Sequence, residues 1–164
     1  MARTRITRTD LNTGLIEEVY LLNGRRHRDA NEGPAYSMCY EGKPIEEKYY
    51  WHGRLHRVDG PAVLVHNDEA LEEEHYYRYG LLHRDPKEGP AFIVRNASGT
   101  LLLEESYHVK GEFYRDPADG PHHISRYDDG RIEREHYTDP DRAAPPHRPS
   151  RSRGAPAPQR KPDP

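Results

Sequence analysis

Short apolar runs alternate with charged and aromatic segments along most of the chain, and none is long enough for a buried helix. Four apolar runs each follow a Gly-Pro pair: AYSMCY (35–40), AVLVHN (62–67), AFIVRN (91–96) and the weaker HHISRY (122–127). Between them, in segments such as residues 45–52, apolar or aromatic side chains alternate with charged ones. A two-residue period places successive side chains on opposite faces of a strand, so the pattern predicts an all-β fold.

One motif recurs four times and sets the order of these strands. It contains a tyrosine, a glycine four residues later, a ring three residues after that, an arginine, and then an acid followed by Gly-Pro. The tyrosines are Tyr20, Tyr49, Tyr76 and Tyr107, and the rings are His27, His56, His83 and Tyr114. The copies lie 27 to 31 residues apart, and a fifth, partial copy covers residues 129–137. A fixed period of this length is typical of a repeat architecture.

Turn chemistry predicts how the strands connect. Asn23-Gly24 is a strong hairpin signal, and proline after glycine is tolerated at the start of a strand. Each apolar strand should therefore form a hairpin with the tyrosine strand of the next copy. We predict an antiparallel β-meander of stacked hairpin repeats with about nine strands and one buried, tyrosine-bearing face. Glu72 interrupts the alternation in the third copy, which predicts a bulge near Leu71.

The chain divides into three parts by composition. Residues 1–12 are a polar lead-in, expected to be flexible or to add at most an edge strand. Residues 13–138 form the β-repeat domain. Residues 139–164 are rich in proline and arginine without apolar periodicity, which predicts a disordered tail.

Residues 49–62, YYWHGRLHRVDGPA, resemble the bacterial and phage form of MORN-type repeats, whose units read Tyr-x3-Gly-x2-His-Arg-x-Asp-Gly-Pro-Ala. The resemblance extends over residues 13–138 and implies an elongated antiparallel meander of hairpins. It also implies a role in contacts with other molecules. Some proteins with related repeats are antitoxin or immunity partners of toxins, and others resemble scaffolds. The fourth copy departs from the pattern at Tyr114 and His122, and the third at Asp68-Glu69.

Composition sets the limits of this picture. Hydrophobic residues make up 33% of the chain and charged residues 32%, which suits a thin sheet better than a thick core. The single cysteine, Cys39, excludes an internal disulfide and favours a reducing compartment. MARTRITRTD is followed by no apolar segment, and no run reaches transmembrane length, so we expect no signal peptide, no membrane span and a cytoplasmic protein. Residues 1–140 carry a formal charge of −7 and residues 141–164 of +4.

The stacked His-Arg pairs are the first candidate binding site. If the copies stack, the following residues form a column: His27, Arg28, His56, Arg57, His83, Arg84 and Arg115. One interpretation is an anion or phosphate site, because paired guanidinium N–H groups recognise such ligands. The other is that each arginine pairs with a carboxylate of its own or the next copy, because the acid before Gly-Pro and the two glutamates before each tyrosine supply partners.

Aromatic side chains are the second candidate. Tyr50, Trp51, Tyr77 and Tyr79 concentrate in copies two and three, beside charged residues, a composition common in protein interfaces. Cys39 lies in an apolar strand, where a structural role is expected. The recurring glutamates predict an ion-paired or solvated row rather than one acid-base pair. The lone cysteine lies outside any Cys-His arrangement typical of a zinc motif. We therefore expect no catalytic residue, metal site or cofactor.

These observations lead to two functional hypotheses. The first is a non-enzymatic protein-interaction module of antitoxin, immunity or scaffold type, and its acidic body favours a basic protein partner. The second is a nucleic-acid, nucleotide or phosphate binder that uses the His-Arg column and the basic tail.

Overall fold

The computed structural model describes residues 2–67, 70–139 and 141, and in these ranges the fold is all-β. Apart from 139 and 141, the predicted tail lies outside the described residues. The strands are β1 (Arg3–Thr9), β2 (Leu15–Leu22), β3 (Arg25–Arg26), β4 (Tyr36–Tyr40), β5 (Lys43–Lys48), β6 (Tyr50–Trp51), β7 (Arg54–Leu55), β8 (Val63–Asn67), β9 (Ala70–His75), β10 (Tyr77–Arg78), β11 (Leu81–Leu82), β12 (Phe92–Arg95), β13 (Leu102–Ser106), β14 (His108–Val109), β15 (Glu112–Phe113), β16 (His123–Arg126) and β17 (Ile132–His136). A short 3-10 turn covers Pro117–Asp119. The described residues contain no helix long and apolar enough to cross a lipid bilayer.

Most of these strands form one large antiparallel meander, as predicted. Their order in the eleven-stranded sheet is β1-β2-β4-β5-β8-β9-β12-β13-β16-β17, with β3 paired to β2. The nine strands expected from the motif are β2 and those after it in this order. The antiparallel meander of hairpins is therefore confirmed, and β1 extends it by one edge strand.

The polar lead-in is ordered against β2 because its arginines meet glutamates there. Arg5 forms an ion pair with Glu18, and Arg8 lies 3.1 Å from Glu17. The pairing of β1 with β2 extends from Arg3 to Thr9. Of the two expectations for residues 1–12, the edge strand is the one observed.

Beyond each tyrosine the chain makes a second, shorter hairpin, and we call these four segments the tip hairpins. They comprise residues 20–27, 49–56, 76–83 and 107–114. Their turns lie at Asn23-Gly24, His52-Gly53, Tyr79-Gly80 and Lys110-Gly111, and both residues of each turn have positive φ. This is the signature of a type I′ turn, whose twist matches a two-residue hairpin. Neighbouring tip hairpins are joined by backbone hydrogen bonds, such as Gly53 N–H to the Arg26 carbonyl at 2.8 Å.

The centre of the sheet is a row in which tyrosine alternates with alanine. The Tyr49 N–H donates to the Ala62 carbonyl at 2.7 Å, and the Ala62 N–H donates to the backbone carbonyl of His75 at 2.8 Å. Ala35, Ala62 and Ala91 are fully buried in this row. A small residue is required there because the tyrosine rings occupy the space on either side.

The prediction of a single buried face is wrong. Val19 and Val63 point away from the tyrosine row, yet both are buried. Long charged side chains lie on that second face as well: the guanidinium carbon of Arg26 and Nζ of Lys48 are 5.1 and 5.2 Å from the centre of the Tyr36 ring. Side chains of this kind can lay their apolar stems along a sheet face while the charged ends reach solvent.

A bulge interrupts each of the four long hairpins that follow β2, namely β4/β5, β8/β9, β12/β13 and β16/β17. In the third copy the register shifts between Val65 and His66 and leaves Glu72 without an opposite residue, which confirms the bulge predicted near Leu71. The equivalent extra residues in the other hairpins are Ile45, Leu103 and Glu133. Ile45 and Leu103 are apolar and fit an unbroken alternation, so their bulges gave no signal in the sequence.

Candidate functional site

Each motif arginine lies flat over the tyrosine of its own copy. The distances from the guanidinium carbon to the ring centre are 3.9 Å for Arg28 and Tyr20, 3.9 Å for Arg57 and Tyr49, 4.0 Å for Arg84 and Tyr76, and 4.2 Å for Arg115 and Tyr107. Nη1 of each arginine also donates to the carbonyl of the motif proline, at 3.1 to 3.2 Å. Among the described residues these four arginines form no ion pair, so the predicted pairing with carboxylates is wrong.

The motif glycine closes the other side of the guanidinium. A Cβ placed on Gly89 would lie 3.1 Å from Nη1 of Arg84. The same approach, at 3.1 to 3.4 Å, occurs at the equivalent glycines Gly33, Gly60 and Gly120. Tyrosine, arginine and glycine thus form one layered unit in every copy. This unit accounts for the conserved spacing within the chain without any ligand.

Replacing Gly89 with alanine should lower the free energy of unfolding by about 3 kcal/mol, since φ is unfavourable for a side chain and the new Cβ displaces Arg84. The φ of Gly89 is +127°. Gly42→Ala is the matched control, because Gly42 also has positive φ (+79°) but has no atom within 4 Å of an added Cβ. That control should lose only about 1 kcal/mol. Equal losses for the two variants in urea denaturation would contradict the layered unit.

The motif histidines join each tip hairpin to the next. Nδ1 of His27, His56 and His83 accepts a hydrogen bond from the backbone N–H of His52, Tyr79 and Lys110, at 3.2, 3.2 and 3.1 Å. These donors are the first turn residues, whose N–H groups point out of their own hairpins. The donors also have φ of 48° to 55°, an uncommon conformation for residues other than glycine. The hydrogen bond therefore holds a strained turn and couples consecutive copies.

Ring contacts strengthen the same junctions. His52 stacks on His27 with centroids 4.4 Å apart, and Tyr79 stacks on His56 at 4.2 Å. Burial lowers the pKa of His27, with smaller contributions from His52 and Arg3. Burial also lowers the pKa of His56, aided by Arg78. Both effects favour the neutral imidazole, which is the form that can accept at Nδ1.

A further backbone contact links the copies at the arginine, and its last member uses a residue that sequence reasoning missed. The N–H groups of Arg28, Arg57 and Arg84 donate to carbonyls of the next tip hairpin, those of Tyr50, Tyr77 and His108. Arg115 donates instead to Oγ1 of Thr138 at 3.1 Å. Thr138 is buried, with 4% of its surface exposed. It replaces the carbonyl that a fifth tip hairpin would supply.

The glutamates before each tyrosine are paired within the sheet. On the tyrosine face Glu18 pairs with Arg5, Glu47 with His66, Glu74 with Arg95 and Glu105 with Arg126. On the other face the pairs are Glu17 with Arg8, Glu46 with Lys48, Glu73 with His75 and Glu104 with His123. These contacts match the ion-paired row expected from the repetition. The rows therefore offer few free carboxylates to a partner.

The four predicted aromatic residues separate into two pairs. Tyr50 is half-buried, and its hydroxyl accepts from Nη1 of Arg26 at 3.2 Å. Tyr77 is also half-buried, with its ring 6.5 Å from that of His75. In contrast, Trp51 is 42% exposed and Tyr79 is 60% exposed. Of these four residues, Trp51 and Tyr79 therefore present the larger aromatic surface to solvent.

Three residues that directly follow a hairpin glycine complete this exposed region. The side chain of Arg25 lies over Gly53, Arg54 over Gly80 and Leu81 over Gly111. A Cβ placed on these glycines would be 3.6 to 3.8 Å from the side chain above it. Arg54 is also opposite Trp51 in the β6/β7 register, so both point to the same side. We name Arg25, Trp51, Arg54, Tyr79 and Leu81 the tip surface. All five are exposed, and neither arginine forms an ion pair with a described residue.

Two open cavities lie beside the arginine column. The larger, about 570 Å³, is lined by residues that include Arg5, His27, Arg28, Glu32 and Trp51. The second, about 390 Å³, is lined by residues that include Arg57, Arg78, Arg84, Asp59 and Glu88. In the second cavity Arg78 donates to the carbonyls of Arg57 and Val58, while Arg57 and Arg84 are held over their tyrosines. These guanidinium groups are committed to the protein and are flanked by acids, which weakens the case for an anion site.

The remaining candidate groups add little chemistry. Cys39 is half-buried, and burial, with smaller effects of Glu47 and Glu18, raises the pKa of its thiol. A raised pKa keeps the thiol protonated and poorly nucleophilic. Within residues 2–67, 70–139 and 141, no three His, Cys, Asp or Glu side chains are grouped so as to hold a metal ion.

Comparison of the chain with protein-family models, with curated proteins and with solved structures finds no match. The similarity of residues 13–138 to MORN-type repeats accordingly stays a prediction from the motif.

Proposed function

We propose that this protein is a non-enzymatic protein-interaction module, of the antitoxin, immunity or scaffold type, that acts in the cytoplasm. The observation that carries the proposal is the tip surface, where Trp51 and Tyr79 are exposed beside two arginines that have no ion-pair partner among the described residues. Tryptophan, tyrosine and arginine are the residue types that contribute most of the binding energy in protein interfaces.

The two aromatic rings are held in place before any partner arrives. Trp51 lies 4.5 Å from the His27 ring and 5.0 Å from the His52 ring. Tyr79 is fixed both by ring stacking on His56 and by its N–H bond to the same imidazole. Little side-chain entropy remains to be lost on binding, which favours affinity.

The second hypothesis, a nucleic-acid or phosphate binder, depends on the His-Arg column and on the basic tail. Its arginines are stacked on tyrosines and bonded to proline carbonyls, and its histidines accept turn N–H groups. The arginine N–H groups and histidine nitrogens that would bind a phosphate or a base are thus already hydrogen-bonded or stacked within the protein. The tail lies outside the described residues, so the first hypothesis has the stronger support.

Two further parts of the proposal have separate support. A cytoplasmic location is favoured by the single, half-buried Cys39, since a reducing compartment leaves such a thiol unpaired. The antitoxin or immunity type is favoured by the resemblance of the motif to repeats in such proteins.

Selection of a random peptide library displayed on phage, with the full-length chain immobilised, tests the interaction module. We expect enriched clones that bind the natural chain and lose binding to the Trp51→Ala/Tyr79→Ala variant. Tyr40→Ala/Tyr127→Ala is the matched control, since these tyrosines are also exposed (44% and 48%) but lie outside the tip surface. Clones that bind the tip variant as well as the natural chain, or binding of oligothymidylate alone, would overturn the proposal.

A further inference from the structure

Two arginines place positive charge on the tip surface of a domain whose net charge is negative. Residues 1–140 carry a formal charge of −7, and their glutamate rows are balanced by arginine, lysine and histidine within the sheet. Arg25 and Arg54, in contrast, extend over the glycines of the next tip hairpins without a carboxylate partner among the described residues. The charge that a partner meets at the tip surface is therefore opposite to the net charge of the body.

We propose that the tip surface binds an acidic segment of a partner protein, with carboxylates on Arg25 and Arg54 and an apolar side chain against Trp51 and Leu81. This inference rests on the proposed function and specifies its partner. It replaces the basic partner that the net charge alone suggests, because the glutamate rows that would attract such a partner are already paired within the sheet.

The geometry favours paired contacts between arginine and carboxylate. Each guanidinium can donate two parallel N–H groups to one carboxylate. The two arginines are on adjacent tip hairpins, roughly 10 Å apart if each hairpin contributes two strand spacings. A short acidic stretch spans that separation without requiring a long charged surface.

A nucleic acid fits the same surface less well. A phosphate backbone binds most strongly to a continuous run of cations. In the row that follows the hairpin glycines the two arginines are succeeded by Leu81 and then by Glu112, so positive charge ends after two positions. The acidic body also repels a long polyanion. Two carboxylates and an apolar group match this row, whereas a polymer of phosphates does not.

The chain contains one tryptophan, Trp51, so its intrinsic fluorescence reports on the tip surface directly. Three short synthetic peptides serve as probes, with the same leucines and with glutamate, glutamine or lysine at all other positions. Oligothymidylate is the fourth probe. We expect saturable changes in Trp51 emission with the glutamate peptide, weakened by salt, and weaker changes with the others.

Charge-reversal variants test whether Arg25 and Arg54 bind the glutamate peptide. Arg25→Glu/Arg54→Glu should weaken binding of the glutamate peptide by about tenfold or more. Arg131→Glu/Arg134→Glu, which reverses two exposed arginines at the far edge of the sheet, should leave it unchanged. Arg25→Gln/Arg54→Gln removes the charges without adding new ones, so a loss there as well excludes misfolding caused by the added acids.

The outcomes test the acidic partner separately from the proposed interaction module. Stronger binding of the lysine peptide or of oligothymidylate, or an unchanged affinity in both arginine variants, would overturn the acidic partner. Failure of every peptide to change Trp51 emission would also overturn it. The interaction module itself is judged by the display selection, which accepts binders of any charge.

Discussion

Replacing Arg84 with alanine should lower the free energy of unfolding by about 3 kcal/mol, the sum of a lost cation–π contact and a lost charged hydrogen bond. Arg84 lies 4.0 Å over the Tyr76 ring and donates to the Pro90 carbonyl at 3.1 Å. Alanine leaves that carbonyl without its donor and exposes one face of the ring. The midpoint and slope of urea denaturation, followed by circular dichroism, measure the loss.

Two variants show whether the layered unit is the cause. Arg131→Ala removes an exposed arginine that pairs with Asp129, and its effect should stay within about 0.5 kcal/mol. Arg84→Lys keeps the charge but lacks the planar group that lies between ring and glycine, so it should recover little. A loss for Arg84→Ala no larger than that for Arg131→Ala would contradict the role assigned to the stack.

Acid should destabilise the fold well before its carboxylates are protonated. Burial lowers the pKa of His27 and His56, and it lowers that of His108 to about 4. In the unfolded chain histidine titrates near 6.5, so below that pH the unfolded state binds more protons than the folded state. Stability is therefore complete above about pH 6.5 and falls as the pH approaches 4; His108 alone accounts for a loss of about 3 kcal/mol.

An asparagine substitution isolates the junction histidine from this effect. In His56→Asn the side-chain oxygen can accept the Tyr79 N–H but does not titrate in this range. Near neutral pH the variant should lose only the ring contact with Tyr79, about 1 kcal/mol, and it should lose less further stability on acidification. His136→Asn, at a histidine of the exposed strand β17 outside the tip hairpins, is the matched control. Stability that stays constant from about pH 7 to about pH 5 would show that the histidines are not held neutral.

Most of the fold follows from local chemistry that is visible in the sequence. Gly-Pro corners and hairpin glycines define the strands, and their order follows because each strand pairs with its neighbours in sequence. The bulge at Glu72 was predictable because a charge interrupts an apolar position, whereas Ile45 and Leu103 conceal the same irregularity. The buried second face was missed because it also carries arginine and lysine, and charged residues are read as solvent-facing.

The site was less predictable, because its contacts join residues of different copies. The sequence places acids near Arg57. Only the fold shows that its guanidinium stacks on the Tyr49 ring and donates to the Pro61 carbonyl. Trp51 and Tyr79 were predicted from composition. Arg25 and Arg54 were missed because Leu81 and Glu112 occupy the same position in other copies, so the position does not look conserved within the chain. Its place directly after the hairpin glycine, on the side of Trp51, was the available signal.

The central claim is that the motif histidine of each of the first three copies holds the turn of the next. Scalar coupling across N–H···N hydrogen bonds, measured by NMR on protein labelled with nitrogen-15 at neutral pH, tests it directly. We expect correlations from Nδ1 of His27, His56 and His83 to the amide nitrogens of His52, Tyr79 and Lys110. Protonated Nδ1 atoms and rapidly exchanging turn amides, with no such correlations, would contradict it.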